Sequence, residues 1–151
     1  IPDLLLTPTS KILGIDRRKM SKSYNNSIFL TDTDEVIDTK VGQMITDPQR
    51  ARRKDPGRPE ICNVFSFHEV YTDKETVSKI DKECRSAGIG CVECKKLMAV
   101  SLKTGLEPMR AKRNELETDK NKIREIIEQG DMRARAVARE TMAEVREAVK
   151  I

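Results

Sequence analysis

Two lysines near the start of the chain have a spacing suited to binding a polyphosphate. Lys19 and Lys22 are three positions apart, with Ser21 and Ser23 beside them. A lysine ammonium is a compact charge on a flexible stem, so it can follow phosphates that change position during a reaction. Serine hydroxyls and exposed backbone N–H groups add further donors. The pattern predicts a cationic loop for a nucleotide, and a solvated loop without a ligand is the alternative.

All four cysteines of the 151-residue chain lie within 33 positions. Cys91 and Cys94 would point to one side of a helix start, and Gly88 and Gly90 would let the chain reverse and bring Cys84 beside Cys91. Such clustering favours a shared metal ligand over structural disulfides. Zinc sites usually use two close cysteine pairs, whereas iron–sulfur clusters accept more varied spacings, and free thiols are the third alternative. The candidate ligands are Cys62, Cys84, Cys91 and Cys94.

A short basic segment carries the whole formal excess of positive charge. Between residues 50 and 58, five cations against the single carboxylate of Asp55 give a net charge of +4, equal to that of the whole chain. A local excess of this kind indicates an anionic partner such as an RNA backbone, and a solvated loop without a partner is the alternative. The candidate nucleic-acid contacts are Arg50, Arg52, Arg53, Lys54 and Arg58.

The composition favours a helical protein without a membrane segment. Charged residues make up 36% of the chain and aromatic residues 3%, which suits a modest aliphatic core with large solvated faces. No apolar run approaches the length of a membrane span, and the first residues do not resemble a leader. We therefore expect a cytoplasmic protein.

Helices must position both the lysines and the cysteines, and several helix starts are marked in the sequence. Residues 31–34 have the hydroxyl-x-x-acid pattern of a helix start, and Asp73 and Asp119 can cap later helices. We predict helices from this start to about residue 46, then over about 60–71, 73–87, 92–117 and 119–130, and from 131 to the end of the chain. In the long fourth helix, Leu97 and Val100 are expected to face the core, and Pro108 to kink it.

The pentapeptide Lys-Met-Ser-Lys-Ser at 19–23 resembles the second signature of the class I aminoacyl-tRNA synthetases, the loop that holds the phosphates of ATP. The likeness continues through Leu13–Asp16 and Tyr24–Ile28, and Asp55–Phe65 is similar to the entry of the helical domain in tryptophan-specific members. It covers the whole chain, although beyond Phe67 it depends on pattern more than on identities. The chain resembles the C-terminal part of this family.

The resemblance implies a mainly α fold in two parts. Residues 1–30 would be the C-terminal remnant of a Rossmann-like catalytic domain, with strand or loop pieces at Leu4–Leu6 and Ile12–Ile15. Residues 31–151 would be a helical anticodon-binding domain built as an antiparallel bundle. The first, histidine-containing motif of class I is absent, and the single histidine, His68, is expected to be packed or exposed rather than catalytic. The sequence therefore indicates a fragment that is inactive alone.

The resemblance also implies roles for individual residues. Lys19 and Lys22 would be catalytic, because they would bind the pyrophosphate portion of ATP, with its magnesium, and stabilise the charge that develops as it leaves. The implied ATP-binding residues are Ile12, Lys19, Met20, Ser21, Lys22 and Ser23. Some bacterial members carry four cysteines at nearly this spacing and bind a 4Fe-4S cluster. Cys62, Cys84, Cys91 and Cys94 are thereby implied as its ligands, with zinc as the alternative.

The implied partners are tRNA(Trp), ATP, tryptophan bound by an N-terminal part outside this sequence, and a second copy in a homodimer. Two other interpretations stay open. A tyrosine-specific relative would share the lysine loop and a helical domain. A free-standing, metal-stapled RNA-binding module would keep the loop without the ligase activity. A histidine-containing class I motif upstream in the reading frame would favour the ligase over the module.

Overall fold

The computed structural model describes Asp3, Leu5 and residues 11–151. Within these residues the chain forms five α-helices, which are α1 (Asp34–Gln43), α2 (Asn63–Tyr71), α3 (Lys74–Arg85), α4 (Cys91–Thr118) and α5 (Lys120–Val149). Two single-turn 3₁₀ helices lie at Lys22–Tyr24 and Pro59–Ile61. The prediction of a mainly helical protein is confirmed.

The predicted remnant of a sheet is not seen in the part of the chain that the structure describes. Leu4 and Leu6 lie outside the described residues, and Ile12–Ile15 forms no strand. Among the described residues, the β-type contact of this segment is an isolated antiparallel bridge between Leu13 and Lys19. A strand requires a continuous ladder with a neighbouring strand, and this bridge closes a turn instead.

Three of the predicted helix starts are confirmed by side-chain caps. The Thr33 hydroxyl accepts a hydrogen bond from the Val36 amide at the start of α1. The Asp73 carboxylate accepts one from the Thr76 amide at 2.9 Å at the start of α3. Asp119 accepts from the second and third amides of α5, at 3.1 and 3.0 Å. Each cap satisfies backbone donors that have no partner inside the helix.

The predicted helix break at Gly130 is wrong. α5 runs without interruption from Lys120 to Val149, so Asp131 lies inside the helix instead of starting a new one. Glycine in a helix costs about 1 kcal/mol relative to alanine. Glycine commonly ends a helix by adopting a left-handed conformation, and no described glycine has a positive φ. After α3 the left-handed residue is Ala87, at φ 59°.

Pro108 lies inside α4, and the helix continues through it. The chain divides at this residue into two compact units, residues 1–108 and 109–151. A proline has no amide hydrogen to donate, so α4 lacks one helical hydrogen bond at this residue. The functional boundary predicted after residue 30 lies within the first unit and stays a prediction.

The core of the first unit is built by α1, α2 and the first half of α4. Ile12, Ile15, Met20 and Ile28 pack against this core from the segment that holds the two lysines. The core of the first unit therefore supports the lysine segment directly. The buried core residues are Ile37, Val41, Met44, Val64, Phe67, Met98, Ala99, Leu102 and Leu106.

The inward face predicted for α4 is wrong. Met98 and Leu102 are buried, whereas Leu97 and Val100 are 42% and 59% exposed. α5 has no buried residue, and its Ile126, Val137 and Val145 are exposed. The antiparallel bundle therefore stays a prediction. None of the helices in the described residues is long and apolar enough to cross a membrane.

Candidate functional site

The lysine loop, residues 19–24, is exposed at its side chains and anchored at its backbone. The side chains of Lys19, Lys22 and Ser23 are exposed, while Met20 packs against the core. Neither lysine has a side-chain partner among the described residues. Both ammonium groups are therefore available to a ligand that carries negative charge.

Asn26 fixes the backbone of this loop. Its side chain is fully buried, and its Oδ1 atom accepts a hydrogen bond from the Ser21 amide at 2.8 Å. The Nδ2 atom donates to the Lys19 carbonyl at 3.1 Å and to Asp16 Oδ1 at 2.8 Å. One amide thus bonds to the backbone on both sides of Met20. Sequence reasoning did not single out Asn26, for which the available signal is an asparagine four residues after Lys22.

Asp16 is the acceptor that orients the Asn26 amide. The hydrogen bond from Asn26 is the main reason that the pKa of Asp16 is lowered to about 2, and the backbone and guanidinium of Arg18 lower it further. Asp16 also accepts from the Arg18 amide at 3.0 Å. The carboxylate is therefore ionised throughout the neutral range and is a constant acceptor for the loop.

Glycine is required at position 14 because the Asn26 side chain lies against its Cα. A Cβ there would collide with the Asn26 amide and would lie 2.8 Å from the Asn26 carbonyl. Ile12, the predicted contact of the nucleotide base, is half-buried and packs against the core of the first unit. The close approach of Gly14 and Asn26 makes the segment before the lysines and the segment after them one local unit.

The four cysteines lie at the ends of three helices that converge. Cys62 precedes α2, Cys84 is in the last turn of α3, and Cys91 and Cys94 are in the first turn of α4. All four are half-buried free thiols. Burial is the main cause that raises the pKa of Cys94 to about 12, and charge on each of the other three cysteines raises it further. The four sulfurs are therefore near enough to influence one another electrostatically.

No three Cys, His, Asp or Glu side chains in the described part of the chain are grouped as a site for one metal ion. A zinc ion with Zn–S bonds of about 2.3 Å needs sulfurs within about 4 Å of each other. Thiolates on the outer corners of a four-iron cluster lie farther apart. The four thiols of the described residues thus do not form a single-ion site.

Donors surround the cysteine group. Arg50 Nη1 lies 3.7 Å from Cys84 Sγ, and His68 Nε2 lies 3.5 Å from Cys94 Sγ. Burial raises the pKa of Cys62, whereas the backbone N–H groups of Phe65 and Val64 lower it. His68 is fully buried and packed, as one of the two expected environments had it.

Three of the five predicted RNA-binding cations, Arg50, Arg53 and Arg58, donate hydrogen bonds to other residues of the chain. Arg50 Nη2 donates to the Ile89 carbonyl at 2.7 Å. Arg53 donates to the Gly88 carbonyl at 2.6 Å and also to the Ala87 carbonyl. Together they fasten the basic segment to the turn between α3 and α4. Arg53 is still exposed overall and Arg50 half-exposed.

Arg58 and Asp47 form the other anchor of the basic segment. The guanidinium donates to both carboxylate oxygens, at 3.0 and 2.7 Å, and Asp47 is 4% exposed at its side chain. Arg52 and Lys54 are exposed and have no side-chain partner among the described residues. A surface cavity of about 490 Å³ beside them is lined by Arg52, Arg53 and Lys96, among other residues.

Comparison with known sequences agrees with this arrangement of lysine loop and helical unit. Residues 1–107 match the family described as tRNA synthetases class I (W and Y). The chain belongs to this family. It is 50% identical over 151 residues to a tryptophan–tRNA ligase of Aquifex aeolicus, covering 99% of this chain and 38% of that protein. A tryptophan–tRNA ligase of Thermotoga maritima is 39% identical over 151 residues, covering 99% of this chain and 46% of the relative.

Solved structures give the same result. A tryptophanyl-tRNA synthetase from Campylobacter jejuni, complexed with ADP and tryptophan, aligns with a TM-score of 0.80 and 26% identity, over 93% of this chain and 44% of that chain. A tryptophanyl-tRNA synthetase from Aeropyrum pernix aligns with a TM-score of 0.63 and 31% identity, over 70% of this chain and 30% of that chain. The chain spans less than half the length of the relatives it matches.

Proposed function

We propose that this chain is part of a tryptophan–tRNA ligase, in which tryptophan reacts with ATP to give an adenylate and pyrophosphate and is then transferred to tRNA(Trp). The observation that carries the proposal is the lysine loop, where Lys19 and Lys22 are exposed on a backbone that Asn26 fixes. The relatives named above are tryptophan–tRNA ligases, which favours this activity over a free-standing RNA-binding module and over the tyrosine-specific branch.

Within this activity the lysines bind the pyrophosphate portion of magnesium–ATP. Charge develops on that portion as it leaves, and cations placed in advance stabilise it without further reorganisation. Ser21 and Ser23 add donors, Met20 anchors the loop in the core, and Ile12 contacts the base. The tryptophan pocket would belong to the part of the relatives that this chain does not span. The intact enzyme is proposed to act in the cytoplasm as a homodimer.

We further propose that Cys62, Cys84, Cys91 and Cys94 hold a 4Fe-4S cluster. The donor set fits this group, since four free, half-buried thiols lie at the ends of three helices, and the charge of the other three raises the pKa of Cys94. The nearby Arg50 guanidinium and the amides of Val64 and Phe65 would offset thiolate charge. When bound, the cluster supplies four iron–thiolate bonds that link α2, α3 and α4. Zinc is the alternative.

The cluster proposal is tested by iron, sulfide and zinc analysis of protein purified without oxygen. About four irons and four sulfides per chain are expected, with loss of both in Cys62→Ser and in Cys91→Ser. Ser86→Ala, a change at an exposed position near the cysteines, is the control and should retain the iron. One zinc per chain, or no metal, would contradict the proposal.

For tRNA, the basic segment is proposed to contact the phosphate backbone. Arg52 and Lys54 are the most available cations, because Arg50, Arg53 and Arg58 also hold the segment in place. Such contacts position an RNA without reading its sequence.

The ligase activity is tested by amino-acid-dependent exchange of pyrophosphate into ATP, using the full-length protein that contains this chain. Exchange with tryptophan and none above background with tyrosine is the expected result. Exchange with tyrosine would place the protein in the other branch of the family. No exchange with either amino acid would overturn the proposal.

A further inference from the structure

Asn63, the first residue of α2, connects this helix to the lysine segment. Its side chain is 3% exposed, and its Nδ2 atom donates a hydrogen bond to the Gly14 carbonyl at 2.8 Å. The two residues are 49 positions apart. Asn63 Oδ1 is also buried and has no hydrogen-bond partner among the residues that the structure describes. Among the described residues, the buried Asn63 amide therefore makes one hydrogen bond, and its acceptor, the Gly14 carbonyl, lies in the segment before the lysines.

Gly14 transmits this contact to the lysines. Its Cα lies against the Asn26 side chain, so closely that a Cβ would collide with it. Its amide donates to the Arg18 carbonyl at 2.8 Å, just before the first lysine. Asn26 in turn holds the Lys19 carbonyl and the Ser21 amide. A continuous path of direct contacts thus runs from α2 to the backbone that carries both lysines.

We propose that Asn63 is a positioning residue for the ATP-dependent step, because it fixes the lysine loop against the helical unit through the Gly14 carbonyl. This inference depends on the proposed ligase function. A small misplacement of charged groups costs much of their transition-state stabilisation. A second hydrogen bond holds the segment next to Gly14. The Ile45 amide donates to the Ile15 carbonyl at 3.0 Å, but both atoms belong to the backbone. Asn63 is the side chain that makes the connection specific.

The test compares Asn63→Leu with Asn114→Leu in the full-length protein. Leucine has the same branching at Cγ as asparagine, although it is larger, and it removes the donor. Asn114 is an exposed asparagine on α4. In tryptophan-dependent pyrophosphate exchange, Asn63→Leu should lower kcat/KM for ATP about tenfold, the equivalent of a lost buried hydrogen bond. The KM for tryptophan and the Kd for tRNA should change less than about twofold, and the control should match wild type.

A second variant approaches the same contacts from the loop. Gly14→Ala leaves α2 untouched and should displace Asn26, so it should reproduce the selective loss toward ATP. An unchanged kcat/KM for ATP in Asn63→Leu, or equal losses for ATP, tryptophan and tRNA, would overturn the proposal.

Trypsin cleavage after Lys19 and Lys22 gives a readout that needs no activity. The folded Asn63→Leu protein should be cut at these sites several times faster than wild type and Asn114→Leu, with added ATP and without it. Equal cleavage rates would contradict the role of Asn63. If wild type shows no exchange at all, the proposed function fails, and the cleavage comparison still decides whether Asn63 holds the loop.

Discussion

The side-chain amide of Asn26 lies 2.8 Å from a carboxylate oxygen of Asp16, and this bond closes the segment that carries both lysines. The same amide also holds the Lys19 carbonyl and the Ser21 amide. Backbone geometry at the lysine loop is therefore set by one buried polar side chain, whereas the lysine side chains are left free for a ligand.

Replacing Asn26 with alanine should destabilise the protein. Three partly buried hydrogen bonds are lost, which should cost about 2–3 kcal/mol in total. Urea unfolding followed by circular dichroism measures the change. Asn114→Ala, at an exposed position on α4, should stay within about 0.5 kcal/mol of wild type. Equal stability of the two variants would show that Asn26 does not organise the loop.

Asp47 should make stability depend on pH in the acid range. The hydrogen bond from Arg58 is the main cause that lowers the pKa of Asp47 to about 2, from an ordinary 3.8. The unfolded chain therefore binds a proton first, so the contribution of Asp47 is present above about pH 4 and is lost as the pH falls toward 2.

The variant Asp47→Asn, which does not titrate, isolates this effect. Its urea midpoint should lie below that of wild type at pH 6, and the gap should shrink between about pH 4 and pH 2. A gap that is constant over this range would mean that the Asp47 pKa is not lowered by folding.

Gly130→Ala should stabilise the protein by about 0.5–1 kcal/mol. Gly130 lies in the middle of α5 with open space where a Cβ would be, and alanine is the better helix residue. Urea unfolding measures the change, and Gly42→Ala, in α1 with the same open space, should behave alike. Destabilisation at Gly130 would instead indicate a left-handed glycine and two separate helices.

Arg52 and Lys54 should contribute to tRNA binding through phosphates. The double variant Arg52→Ala with Lys54→Ala should weaken binding of tRNA(Trp) and reduce the slope of log affinity against log salt by about 1.5. Filter binding at several salt concentrations measures both quantities. The double variant Lys79→Ala with Lys82→Ala, on exposed positions of α3, is the control for lost charge. The same slope in both variants would remove the basic segment from the RNA interface.

Local signals could be read from the sequence, and contacts between distant residues could not. The helix caps at Asp73 and Asp119 were predictable because each side chain bonds to amides two or three residues away. The bond from Asn63 to Gly14 joins residues 49 positions apart, and nothing local marks it. Arg50 and Arg53 were interpreted as RNA contacts because their charge is visible in the sequence, while their carbonyl partners beyond α3 are not.

The inward face of α4 shows a second limit. Apolar residues run consecutively from Leu97 to Val100, so helical periodicity alone allows more than one inward face. Packing against α1 and α2 buries Met98 and Leu102 and leaves Leu97 and Val100 exposed. At Gly130, the helix-forming residues on both sides outweigh a single glycine, and the helix continues through it.

The most direct test of the central claim is the effect of Lys22→Ala on two activities of the full-length protein. Tryptophan-dependent pyrophosphate exchange should fall about 100-fold, because a cation at the leaving group stabilises the transition state, while the Kd for tRNA(Trp) should change less than about twofold. Lys82→Ala, at an exposed position of α3, should match wild type in both. Equal losses in exchange and tRNA binding, or no loss in exchange, would contradict the role of the lysine loop.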